Sequence, residues 1–221
     1  MCGRFELNIS KEQLIKTFVI SDPQMPMYEP NYNIPPGTDI PIIYQIGDHR
    51  RLTAAHWGLI PSWAKDRSIA SHTFNARSET VAEKPSFRTA YKRRRCMIPA
   101  TGYYEWKNLE IEGKPAGKKP FWIGRKDHQP FAMAGLFENW TDTQSGEKIE
   151  SCTIITRDAY PEINHIHNRM PVILPSEYYQ LWLKGAIDDF PMVDEEDLAF
   201  YPISKAVGSP SNNYEFKPLA E

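Results

Sequence analysis

What most limits how this chain can fold is a succession of short runs rich in β-branched and aromatic residues, each closed by glycine, proline or a polar turn. Ile40 to Gln45 is one such run, and Gly47-Asp48 turns it back through Leu52 to Trp57 as a hairpin. Cys96 to Pro99, Tyr103 to Lys107, Phe121 to Gly124, Phe131 to Glu138, Cys152 to Thr156 and Pro171 to Leu174 repeat the pattern. Helical signals are fewer. Ser10 with Gln13 forms a capping box ahead of Leu14, Ile15 and Phe18, so a helix covers about Lys11 to Phe18. Ser78 caps a second helix running toward Lys84, Pro175-Ser176-Glu177 opens a third to about Lys184, and Asp194 to Phe200 is a fourth, acidic one. Prolines 23, 26, 30, 35, 36 and 41 hold the segment they span extended on the surface. Lys114 to Lys119 reads as a flexible basic loop, and Val207 to Asn213 as a loop before a loosely constrained tail. No repeat or linker divides the 221 residues. The expected fold is α+β, a single domain over residues 1–221 with its core at 2–208 and a tail at 209–221. It is built on a curved, mainly antiparallel β-sheet or barrel with peripheral helices.

No apolar run approaches the roughly 18 residues of a membrane helix, and the N-terminus lacks a signal-peptide core. A cytoplasmic, nucleoid-associated protein with no membrane partner is expected, acting as a monomer. Three cysteines without metal-type spacing predict neither a disulfide framework nor a metal site, and no cofactor motif is present. The net charge of −2 conceals an asymmetry: residues 1–130 hold 20 Lys and Arg against 13 Asp and Glu, and residues 131–221 hold 6 against 15. A neutral total can therefore carry a basic face, although interleaved halves would merely solvate the surface.

Chemistry enters with Met1-Cys2-Gly3-Arg4-Phe5. Removal of Met1 leaves Cys2 with a free amine beside its thiol. An α-amine with a pKa of about 8 and a thiol near 8.5 are both usable nucleophiles at neutral pH. With an aldehyde the amine forms an imine, and the neighbouring sulfur closes a five-membered thiazolidine, an intramolecular step of very high effective concentration. On its own, Cys2 reads equally as a small apolar core residue. Arg4 adds a fixed cation suited to an anion.

Further along, Trp63 follows Pro61-Ser62 and precedes Lys65, Asp66 and Arg67, a polar flank that suits an exposed base-stacking indole. In Phe74-Asn75-Ala76-Arg77-Ser78-Glu79-Thr80, Asn75 and Arg77 stand where backbone amides can face an anion; the plainer readings are a turn residue and a surface ion-pair partner. Tyr91-Lys92-Arg93-Arg94-Arg95 is a basic run, solvated or facing phosphate. Strand alternation sets Tyr103, Glu105 and Lys107 on one face and Tyr104 and Trp106 on the other. A carboxylate buried among those aromatics has a raised pKa and can exchange protons near neutrality. His165 and His167 titrate in the same range.

Taken together, Met1-Cys2-Gly3-Arg4-Phe5, Tyr32-Asn33 with Pro36-Gly37, Trp57 to Pro61, Asn75 to Thr80, Arg95-Cys96 through Tyr104-Glu105-Trp106, and His167-Asn168-Arg169-Met170-Pro171 resemble the SOS response-associated peptidase (SRAP) family, in its order and over nearly the whole chain. The resemblance implies a protein of the DNA-damage response that binds single-stranded DNA and cross-links covalently to abasic sites, whose open sugar presents an aldehyde. It implies Cys2 as nucleophile and Asn75 as the group orienting the sugar or the N-terminal amine. Glu105 would transfer protons in imine formation and assist loss of Met1, and His167 would open the sugar and reverse the link; His165 lies outside the match. Arg4, Arg77 and Arg169 would hold phosphates, and Trp63 and Trp106 would stack on or wedge beside bases. Some relatives carry a second tryptophan where this chain has Ala64. The peptidase of the family name is read as self-removal of Met1, a hydrolase step, with lyase cleavage at abasic sites as a secondary activity. Two other classes remain in view: a cysteine peptidase acting in trans through Cys2, His167 and Glu105, and a non-catalytic reader of modified or single-stranded DNA.

Overall fold

A computed structural model describes residues 2–25, 27–111 and 113–219. The chain runs β1 (Phe5–Leu7), α1 (Lys11–Phe18), β2 (Asp22–Pro23), β3 (Asn31–Ile34), β4 (Asp39–Ile46), β5 (His49–Trp57), β6 (Asn75–Arg77), α2 (Arg88–Arg93), β7 (Arg95–Ala100), β8 (Gly102–Ile111), β9 (Lys114–Arg125), β10 (Phe131–Thr141), β11 (Lys148–Asp158), α3 (Pro161–Asn164), β12 (Arg169–Pro171), β13 (Ile173–Leu174), α4 (Tyr179–Leu183) and β14 (Leu198–Pro202). Short 3-10 turns fill several of the gaps between these elements.

Two sheets share this chain. The smaller has the order β14-β9-β8-β1-β3. The larger follows β12-β11-β10-β7-β4-β5-β2, and a short parallel pairing of Ser151 and Cys152 with His56 and Trp57 joins β11 back to β5. That contact closes β4, β5, β7, β10 and β11 into a barrel, which removes the open edges a flat sheet would expose. The mainly β architecture with a few peripheral helices is thus the one the strand pattern predicts.

Alternation explains the core. Ile40, Ile42, Ile43, Met97, Ile98, Ala132, Ala134, Leu136, Ile154 and Ile155 are buried with their neighbours in one continuous apolar cluster. Trp57 belongs to it, fully buried, and meets Phe5 edge-on at 5.1 Å, tying β1 of the small sheet to β5 of the barrel. An edge-on pair of this kind is worth about 1 kcal/mol beyond the area it buries. The small sheet also carries a second cluster around Tyr104, Trp122, Val207 and Phe216. Trp122 lies across two glycines: a Cβ on Gly102 would come within 2.2 Å of its Nε1, and one on Gly124 within 2.5 Å of its ring.

Several local expectations hold. Helix α1 starts at the capping box, with Ser10 Oγ accepting from Gln13 N at 3.2 Å and Gln13 Oε1 accepting from Ser10 N at 2.9 Å. Strands β4 and β5 form the hairpin turned at Gly47-Asp48.

Others are corrected. No helix follows Ser78; hydrogen-bonded turns lead instead to α2, which uses part of the basic run. Lys114 to Lys119 is strand, paired to β8. Asp194 to Phe200 is a 3-10 turn leading into β14, because Phe200 and Tyr201 pair with Ile123 and Trp122 along the edge of β9. The chain beyond residue 208 is mostly exposed but is tied at points: Asn33 Nδ2 donates to the carbonyls of Ser209 and Asn212, the Leu219 N–H donates to the Pro202 carbonyl, and Phe216 is buried.

Candidate functional site

Cys2 leads directly into β1, whose pairing with β3 and β8 is antiparallel. It is fully buried at the edge of the main core. Asn75, the first residue of β6, is delivered beside it by parallel pairing with β11 and donates Nδ2–H to the Cys2 carbonyl at 2.8 Å. The other amide atom, Oδ1, is buried with no hydrogen-bond partner among the described residues. Such an acceptor is costly to leave unmade, by about 1–3 kcal/mol.

Glu105 stands on β8 opposite Phe121 of β9 and is 3% exposed. Burial raises its pKa to about 7, so the carboxyl carries a proton part of the time at neutral pH. Burial first, and the Glu105 charge second, push the Cys2 thiol far above its ordinary range. Burial thus favours the protonated thiol more strongly than an ordinary cysteine would.

His167 lies in the segment between α3 and β12. Its Nδ1 accepts the Arg169 backbone N–H at 2.9 Å, which assigns the proton of the neutral ring to Nε2. Burial lowers its pKa, so the neutral ring prevails at pH 7. Glu105, His167, Gly3, Phe74, Trp106 and Lys118 surround one open cavity of about 540 Å³. Three elements distant in sequence thus converge on the first residues of the chain. His165 is elsewhere, edge-on to Phe121 and Phe200.

The predicted DNA-contacting residues divide. Trp63 is 60% exposed, Arg77 is exposed at the end of β6, and Trp106 is half-buried on the cavity wall. Arg4 is tied by Nη1 to Asn33 Oδ1 at 2.7 Å and to the Val207 carbonyl at 3.0 Å, which fixes the start of the chain. Arg169 is 7% exposed, and its terminal nitrogens hold Glu79 at 2.6 and 2.9 Å, Asp158 at 2.6 Å and the Thr156 carbonyl at 2.7 Å. That network braces the segment bearing His167. The basic run is similar: Arg94 pairs with Glu138, and Arg95, buried against Tyr91 and Trp182, pairs with Asp188, while Lys92 and Arg93 are exposed.

Sequence reasoning missed Phe74 and Lys118 as walls of the cavity. Extending the alternation of β8 into a paired strand over Lys114 to Lys119 would have found the lysine. Among the described residues no group of three or more His, Cys, Asp and Glu side chains is arranged to hold a metal, and no helix is long and apolar enough to cross a membrane.

Cys2, held by its own carbonyl, thus lies close to a buried acid and a neutral histidine that share one cavity. The chain belongs to the SOS response associated peptidase (SRAP) family, whose model matches residues 1–210. It is 42% identical to the abasic site processing protein YoqW of Bacillus subtilis (strain 168), over 96% of both chains. It is 30% identical to the abasic site processing protein HMCES of Xenopus tropicalis, over 96% of this chain and 76% of that one. A crystal structure of a protein from Bacteroides thetaiotaomicron, 28% identical, superposes with a TM-score of 0.84 over 96% of this chain and 97% of its own.

Proposed function

We propose that this protein, after losing Met1, captures abasic sites in single-stranded DNA by a covalent cross-link through the amine and thiol of Cys2. The carrying observation is the anchoring of Cys2 by Asn75 next to Glu105, on the cavity that His167 shares. The relatives named as abasic site processing proteins supply the substrate.

In this reading water first cleaves the Met1–Cys2 amide, with Glu105 moving the proton, and releases methionine. The freed nitrogen is then a donor for Asn75 Oδ1 and a nucleophile toward the sugar aldehyde. It adds to the carbonyl carbon; Glu105, protonated near neutrality, gives its proton to the departing hydroxyl, and water leaves to form the imine. Sulfur adds second, because its thiol is held protonated. The C–S bond forms as the S–H proton passes to nitrogen, and one water has been lost overall. His167, with Nδ1 engaged, exchanges protons through Nε2 in opening the sugar and in reversing the link. Arg4 and Arg77 contact phosphates, and Trp63 and Trp106 stack on bases. The imine also acidifies the adjacent carbon, so strand cleavage by β-elimination competes with ring closure as a minor activity. Such a substrate is met at the nucleoid, where the protein acts as a monomer.

The test is incubation of processed protein with an oligonucleotide carrying one abasic site, followed by denaturing electrophoresis. A shifted, denaturant-resistant band that disappears in Cys2→Ala supports the proposal. The same band at full yield in Cys2→Ala refutes it.

A further inference from the structure

The outer half of the β8–β9 hairpin breaks a rule of strand pairing. Its register sets Lys107 directly opposite Lys119, and like charges facing across a ladder repel. Among the described residues no ion pair neutralises Lys107 or Lys119. Glu110, the described acid on this half of the arm, faces Pro115 instead of a lysine. A local rule broken with no compensating acid among the described residues is a signature of function.

The lysines also extend outward from the cavity, Lys107 and Lys119 on the strand face of Glu105 and Lys118 on the other. Lys118 forms part of its wall with Glu105 and His167. Lys107 stands two residues beyond Glu105 on the same strand face, about 7 Å outward, and Lys114 lies at the far end, roughly 20 Å from Glu105 at about 3.3 Å per residue. Lys119 Nζ sits 5.8 Å from the ring of Phe121, the residue paired with Glu105. Cations spaced along a strand that begins at the reactive carboxyl match a chain of phosphates that ends at the reacting sugar.

We propose that the β8–β9 arm is a second DNA contact, gripping the phosphates of the strand that flanks the abasic nucleotide. This rests on the function proposed above and carries the predicted contacts Arg4, Trp63, Arg77 and Trp106 outward along the arm, beyond Trp106 at its inner end. Bound phosphates relieve the repulsion between Lys107 and Lys119 that the free protein carries, so the arm is better matched to its ligand than to itself.

The test pairs the double variant Lys107→Ala/Lys119→Ala with wild type, using fluorescence anisotropy on an intact single strand of about 20 nucleotides over a range of salt. Each lost phosphate contact lowers the slope of log affinity against log salt by about 0.7, so the double variant should lose about 1.4. Affinity at low salt should fall roughly tenfold or more, and the loss on a trinucleotide should be smaller. Its Tm should hold or rise, since a repulsive pair has gone; Lys107→Glu, which sets opposite charges face to face, should raise Tm while weakening DNA further. A residue that merely supports the hairpin would move Tm down and leave the slope alone. A slope equal to that of wild type overturns the proposal, as does an equal loss on the trinucleotide. Because the slope is read on undamaged strands, it tests the arm whether or not a cross-link forms; absence of any Cys2-dependent cross-link in wild type would instead count against the function above.

Discussion

Two buried glutamates lie on opposite sides of the β1–β8 pairing, and burial raises the pKa of both. Glu6 is sealed in. Tyr104 Oη approaches its Oε2 at 2.6 Å, and Trp122 Nε1–H donates to its Oε1 at 3.0 Å, with the Thr101 hydroxyl at 3.4 Å. The Tyr104 hydroxyl also sits 2.8 Å from the Tyr32 carbonyl. One hydroxyl proton cannot serve two acceptors, so both contacts are hydrogen bonds only when Glu6 carries a proton. Glu105 has the same chemistry but a different setting. It borders an open cavity with His167, next to the cysteine that heads the chain. Burial alone therefore does not make a catalytic acid. What separates the two is whether the protons of the group can reach anything that changes.

The largest contrast should come from activity. Glu105→Gln removes the proton donor at the cavity and should slow cross-linking by about two to four orders of magnitude. Glu6→Gln preserves an acceptor oxygen and should keep most of the rate, as measured by band formation over time. Equal losses in both variants would erase the distinction.

Stability should rank the pair the other way. Glu6→Ala strands the Trp122 N–H in a buried cluster, while the Tyr104 hydroxyl keeps the Tyr32 carbonyl, a cost of about 1–3 kcal/mol by denaturant titration. pH sharpens the comparison further. The folded pKa of Glu105, about 7, lies above its unfolded value of 4.5, so the folded state holds the extra proton between the two. Stability from this group is full below about pH 4.5 and falls as pH rises toward 7, by up to about 3 kcal/mol. Unfolding of wild type and Glu105→Gln at pH 5 and pH 8 should show the variant gaining on wild type at the higher pH; a constant gap would contradict the raised pKa. The smallest expected effect is at Tyr103, beside Glu105 on the same strand, whose buried hydroxyl has no hydrogen-bond partner among the described residues. Tyr103→Phe should stabilise by about 1 kcal/mol, read as a higher Tm.

The same contrast runs through what the sequence made legible. Local signals were sufficient for the capping box at Ser10, the turn at Gly47-Asp48 and the alternation that put Glu105 with Tyr103. Motif order was sufficient to bring Cys2, Asn75, Glu105 and His167 into one reading. Partners distant in sequence were not legible. Nothing near Arg169 in the sequence announced its ion pair with Glu79, 90 residues away. Lys114 to Lys119, with Gly113 and Gly117 beside Pro115, has the composition of a loop, and only pairing to β8 makes it a strand. Asp194 to Phe200 has helical charge content, but the stacking of Tyr201 on Trp122 at 4.8 Å accompanies an edge strand there. Nothing local announced that Glu6 is enclosed, or that burial holds the Cys2 thiol protonated.

The central claim is that nitrogen and sulfur of one processed residue together seize the damaged sugar. Intact-mass measurement of the adduct with an abasic oligonucleotide tests it most directly. The account predicts a mass equal to the chain lacking Met1 plus the oligonucleotide less one water, and no stable adduct from Cys2→Ala. An adduct that retains Met1, or one formed as stably without the sulfur, would contradict it.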